Sequence, residues 1–167
     1  MAIITVIGID PGLIDTGLVS LTFNNFLREI TVHYAVTSRA KAPEIVENVR
    51  SLRAAHWSLE YHIFIEGYRP RSNFNTDVKM LELITQLKAE MPAAKVINNT
   101  GIKKVVKPKL LEFLRIDSFP LATNHGDLVS AGRILVLGML KDPELNKLLT
   151  SVFTDLYQGH PWTVIKP

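Results

Sequence analysis

Three acidic residues stand where carboxylates can do chemistry. Asp10 ends the apolar run I-I-T-V-I-G-I, Glu66 ends I-F-I, and Asp127 lies just inside the apolar segment that begins at His125. An acid at the edge of a core is costly to ionise unless something positive is near. Carboxylates brought close together cannot all stay charged without a cation. A hard divalent ion such as Mg²⁺ takes oxygen ligands from a few carboxylates and fills the rest with water and phosphate oxygens. Two such ions about 4 Å apart activate a water and stabilise the leaving oxygen in phosphodiester cleavage. Asp10, Glu66 and Asp127 are therefore candidate catalytic residues and metal ligands. Each also has a plain reading: a common Asp-Pro-Gly turn, a solvated strand end, and an acid favoured by a helix dipole.

The elements that must position them follow from periodicity. Ile3–Ile9, Thr16–Thr22 and Ile30–Val36 are short, β-branched and separated by turn residues, which predicts an antiparallel meander. Asp15 falls in the first turn and is read as a turn residue. After Pro43, Ile45, Val49, Leu52 and Leu59 recur at helical spacing. Tyr61–Ile65 is the next strand. Caps from Asn73 to Thr76 open a second helix with an expected apolar face of Val78, Leu81, Ile84, Leu87 and Met91. Ala94–Ile97 is a fifth strand, Pro108 to Leu114 a short helix, and His125 to Lys141 a strongly apolar one. The fold class is α/β: a mixed five-stranded sheet, three antiparallel strands then two parallel, flanked by helices. Residues 1–141 form the expected main domain, and 142–167 a C-terminal helix and tail of the same domain.

Bulk properties bound the possibilities. The chain has 167 residues, 47% hydrophobic and 21% charged, which fits one globular domain. Net charge is +3 with a pI near 9.2, compatible with a polyanionic partner. The absence of cysteine excludes disulfides and thiolate metal sites and makes the cytoplasm the expected location. No segment approaches the roughly 18 apolar residues of a membrane span, and the N-terminus does not read as a signal peptide.

Between Asn98 and Ile116, Lys103, Lys104, Lys107, Lys109 and Arg115 face only one acid, Glu112. Arg69 and Arg71 follow Glu66 closely. These cations are candidate phosphate contacts, and the interleaved Tyr68 and Phe74 candidate base-stacking residues. The alternatives are a solvated charge run and partly buried rings. The last long helix has two apolar faces, Leu128, Ala131, Leu135 and Met139 against Val129, Gly132, Val136 and Leu140. One face could pair with a second copy, with Gly132 and Gly138 allowing close approach; a helix sandwiched in the core explains the pattern equally well.

G-I-D-P-G-L-I-D-T-G resembles the first motif of the RuvC family of Holliday-junction resolvases, and I-E-G-Y-R-P and N-H-G-D-L-V-S-A-G resemble its second and last acidic motifs. The likeness spans about Ile3 to Lys141, and the chain is similar to phage-encoded members. It implies a ribonuclease-H-like fold and a homodimer in a bacterial or phage-infected bacterial cell. It also implies symmetric nicking of four-way junctions with Mg²⁺ or Mn²⁺. Such resolvases usually carry a fourth ligand, Asp or His, one helical turn before the last Asp. Here that position is Asn124, which could bind through its carbonyl or simply cap the helix; adjacent His125 could substitute.

The expected function is a metal-dependent, structure-selective endonuclease acting on Holliday junctions and other branched DNA such as forks. The alternative is a branched-DNA-binding protein of the same fold without catalysis. An ATPase of the sugar-kinase and actin type ranks last, because it needs two lobes. Sequence preference, a branch-migration motor and the host are not legible.

Overall fold

A computed structural model describes residues 3–39, 41–54, 58, 60–70, 72, 74–122 and 125–166. The elements in order are β1 (Ile3–Asp10), β2 (Asp15–Asn24), β3 (Glu29–Ser38), α1 (Ala42–Ala54), β4 (Glu60–Gly67), α2 (Phe74–Glu90) and β5 (Lys95–Asn98), then α3 (Ile102–Val105), α4 (Pro108–Phe113), α5 (His125–Lys141), α6 (Pro143–Tyr157) and β6 (Thr163–Ile165). Among the described residues they form one mixed sheet of order β5-β4-β1-β2-β3-β6. β1, β2 and β3 make the expected meander, and β4 and β5 add parallel strands beside β1. The expected sheet lacks β6, which pairs parallel with β3 at the far edge. Three residues are too few to display alternation.

Side chains alternate across each strand, so the sheet has two chemically separate faces. Ile7, Ile9, Leu18, Ile63 and Ile65 pack with α1 and α2. Val6, Val19, Leu21, Phe23 and Phe64 pack with α5. The first strand is buried on both faces, as its continuous apolar run requires. α5 lies directly on the sheet because Gly8 and Gly17 lack side chains where the helix crosses: a Cβ on Gly17 would stand 2.5 Å from the Asp127 carbonyl oxygen.

One expected helix face is corrected in part, and one open alternative is decided. α2 buries Asp77, Met80, Leu83, Ile84 and Leu87, while Leu81 is exposed. The helix carries two apolar stripes; the larger, Met80, Leu83, Ile84 and Leu87, goes inward, and Asp77 beside it is buried with the Tyr68 hydroxyl donating to it at 2.7 Å. Phe74 and Leu81 remain on the outside. α5 is covered on both sides, by the sheet on one and by α6 and the α3–α4 segment on the other, in one cluster with Leu111, Ile116, Leu145 and Leu149. Gly138 meets the Phe64 ring and Gly132 meets Ile116. Thus the two apolar faces of α5 make the core of this chain rather than a surface for a second copy. Leu59 and Asn73 lie outside the described residues. No helix among the described residues is long and apolar enough to cross a membrane.

Candidate active site

Strand parity puts the acids together. Asp10 shares its side of β1 with Val6, and Glu66 its side of β4 with Phe64, so both carboxylates point to the α5 face. β1 and β4 run parallel with Ile9 beside Ile65, which makes Asp10 and Glu66 the next neighbours along the pair. Their carboxyl groups are close enough for Glu66 to hold the Asp10 proton on. Asp127, in the first turn of α5, sits against β2 at Gly17, itself the partner of Asp10 across β1 and β2.

The electrostatics record the crowding. Burial, foremost, then the hydrogen bond and charge of Glu66 and the charge of Asp127, push the Asp10 carboxyl from 3.8 up to about 9; Ser130, hydrogen-bonded to Asp10, works the other way. Burial raises Asp127 as well, with a further push from Asp15. Asp15 is thus more than a turn residue. It opens β2 on the same side as Gly17 and Val19, and the Ser38 hydroxyl donates to its Oδ1 at 2.5 Å. The turn before it is tied by the Gly12 amide donating to the Thr16 hydroxyl, 3.2 Å.

Sequence reasoning missed three groups. Asn99 donates its amide to Glu66 Oε1. Ser130 reaches Asp10; its spacing of one helical turn from Asp127 is the signal that could have found it. Asp15 was hidden by its place in a turn motif.

The donors are all hard oxygens and carry more negative charge than their surroundings neutralise, which fits a divalent cation by chemistry. Among the described residues, however, no group of three or more His, Asp or Glu side chains is gathered closely enough to be a ready-made metal centre. Asn124 and Arg71 lie outside the described residues. His125 is exposed, and its Nδ1 accepts the Phe119 backbone N–H at 2.9 Å. In the neutral ring the proton then sits on Nε2, so His125 presents a donor rather than a metal-binding lone pair.

The basic residues extend from the same place. α3 begins three residues after Asn99, and Lys103, Lys104, Lys107 and Lys109 are all exposed. Arg69 lines a cleft of about 70 Å³ with Pro11, Glu66, Tyr68 and Asn99. Phe74 is 80% exposed, while the Tyr68 hydroxyl is engaged by Asp77.

No protein-family profile and no curated protein matches the sequence. Solved structures do. The chain is similar to Thermus thermophilus RuvC in complex with a Holliday junction substrate, with 17% identity and a TM-score of 0.54 over 80% of this chain and 90% of that one. It is also similar to the yeast mitochondrial Holliday junction resolvase Ydc2, with 12% identity and a TM-score of 0.52 over 92% of this chain and 83% of that one. The fold is that of RuvC-like resolvases, the ribonuclease-H-like arrangement expected from the motifs.

Proposed function

We propose that this chain is a metal-dependent endonuclease that nicks Holliday junctions and other branched DNA by hydrolysing a phosphodiester in each of two strands. The observation that carries the reading is the convergence of Asp10 and Glu66 from neighbouring parallel strands, with Asp127 from the helix that crosses them. Asp10, Glu66 and Asp127 would hold Mg²⁺ or Mn²⁺, two ions per site, with Asp15 supplying the charge that Asn124 does not. When bound, such ions activate a water and stabilise the leaving oxygen. The Asn99 amide and Ser130 orient the Glu66 and Asp10 carboxylates. Lys103, Lys104, Lys107, Lys109 and Arg69 neutralise phosphates, giving affinity with little sequence content. Phe74 is the better placed of the two aromatics to stack on an unpaired base.

Paired nicking needs two sites related by a two-fold axis, which a homodimer supplies. Its surface is proposed on α2, where Phe74 and Leu81 are exposed beside half-buried Val78. We read residues 1–141 as the nuclease unit and 142–167 as its completion, at work on branched DNA in the cytoplasm of a bacterial or phage-infected bacterial cell.

The second reading is a branched-DNA binder without catalysis, with Asn124 standing where such resolvases carry Asp or His. Incubation of a synthetic four-way junction with Mg²⁺ or Mn²⁺ separates the two. Symmetric nicks that vanish in Asp10→Asn while binding persists are expected; a gel shift with no product in either metal would establish the binder.

A further inference from the structure

The C-terminal segment does more than complete the sheet edge. After α6 the chain returns along β3, where the Thr163 amide donates to the Arg28 carbonyl at 2.8 Å and Trp162 packs edge-on to Phe23. This delivers Lys166 to the turn between α4 and α5. Its ammonium donates to the Arg115 carbonyl at 2.8 Å and to the Ser118 carbonyl, and lies 4.0 Å from the centre of the Phe119 ring. Arg115 has φ of 54°, a left-handed conformation that costs a non-glycine residue energy unless its surroundings hold it. Phe119 is fully buried, stacks edge-on against Tyr34 at 4.9 Å, and gives its amide to His125. His125 opens α5, two residues before Asp127.

We propose that Lys166 is a positioning residue: it holds the Arg115–Phe119 turn, and through Phe119 and His125 it sets the first turn of α5 and so the place of Asp127. A contact on the far side of the sheet from β5 thereby controls the alignment of the site. The inference rests on the nuclease reading for its catalytic consequence, though not for its structural one.

The physical warrant is sensitivity to placement. A misplacement of about 1 Å from a change remote from the chemistry can cost about a hundredfold in rate. Loss of the Lys166 donors frees two carbonyls and a strained turn while every side chain of the site itself stays unsubstituted.

The test compares wild type, Lys166→Met, which keeps the aliphatic stem, and Lys166→Arg, which keeps donors and charge. Junction nicking is measured in Mg²⁺ well below the melting temperature, and amide hydrogen exchange is followed without DNA or metal. The expected result for Lys166→Met is a fall of about tenfold in kcat with KM changed by less than about twofold, consistent with misplacement rather than lost binding. Exchange should quicken within residues 115–129 and not in β1 or β4, and Lys166→Arg should restore both. Unchanged exchange at 115–129 would overturn the proposal, as would a rise in KM alone, or quickened exchange with wild-type kcat. If wild type nicks nothing, the nuclease reading fails, and the exchange pattern still decides whether Lys166 holds the turn.

Discussion

Gly17 of β2 touches the backbone of Asp127: a Cβ there would lie 2.5 Å from the Asp127 carbonyl oxygen and 2.6 Å from its carbon. One strand residue therefore sets how closely an acidic helix turn approaches the end of β1. Gly17→Ala is expected to push the first turn of α5 outward, destabilising the fold by about 1–3 kcal/mol through overpacking. Nicking should fall by about a hundredfold from the displaced carboxylate. Gly126→Ala, in the same turn but with nothing within 4 Å of the added methyl, is the control. Its melting temperature should hold or rise, since alanine favours helix over glycine by about 1 kcal/mol. Thermal melts and initial rates on one junction check both.

Asp10 carries the cost of the crowded site. Its carboxyl is held at about 9 in the fold against 3.8 ordinarily. The folded state therefore binds a proton that the unfolded state gives up, so stability falls as pH rises from about 4 to about 9. Asp10→Asn removes that loss. Without divalent ions the variant should melt higher than wild type at pH 7–8, and the two should converge below about pH 4. Saturating Mg²⁺ should raise the melting temperature of wild type and not of the variant.

Asp15 is expected to contribute charge to the metal-binding end of the site. Asp15→Asn should raise the Mg²⁺ concentration needed for half-maximal nicking several-fold, and junction binding in Ca²⁺ should change little. Titration of Mn²⁺ by calorimetry reads the same effect without turnover. Asn124→Asp should move the midpoint the other way.

The turn at Arg115 makes a separate prediction about stability. The Ile116 amide bonds to the Leu111 carbonyl and the Arg115 amide to the Glu112 carbonyl, the paired closure that ends a helix on a left-handed residue. Glycine is the usual occupant. Arg115→Gly should therefore stabilise the fold by up to about 1 kcal/mol, read from chemical denaturation.

The lysines should act through phosphates. Replacing Lys103, Lys104, Lys107 and Lys109 by Gln should weaken junction binding alike for every sequence. It should also reduce the slope of log affinity against log salt by about 0.9 for each phosphate that is no longer neutralised.

Much of this is legible from residue order. The meander, the parallel additions and the bounds of α5 follow from β-branched runs and turn residues, and the acids stand out because apolar strands stop on them. What is illegible depends on packing partners. α2 carries two apolar stripes, and only its packing against α1 and the sheet, with Leu83 and Leu87 in the shared core, tells which goes inward. The sequence leaves the second face of α5 open between a partner and the core, and α6 with the α3–α4 segment covers it. Asn99 reaches Glu66 across a strand pair separated by 33 positions, with no local pattern to announce it. Arg115 hides its left-handed turn because glycine is the ordinary sign of one.

The two faces of the sheet divide the labour of the molecule. Every carboxylate of the proposed site rises on the flank that α5 occupies, while α1 rests on the opposite flank with Ile45, Val49 and Leu52 turned inward and its outer surface spare. That outer surface is ground on which a fluorophore, an affinity handle or a tethering domain can be grafted on the flank away from the cutting edge.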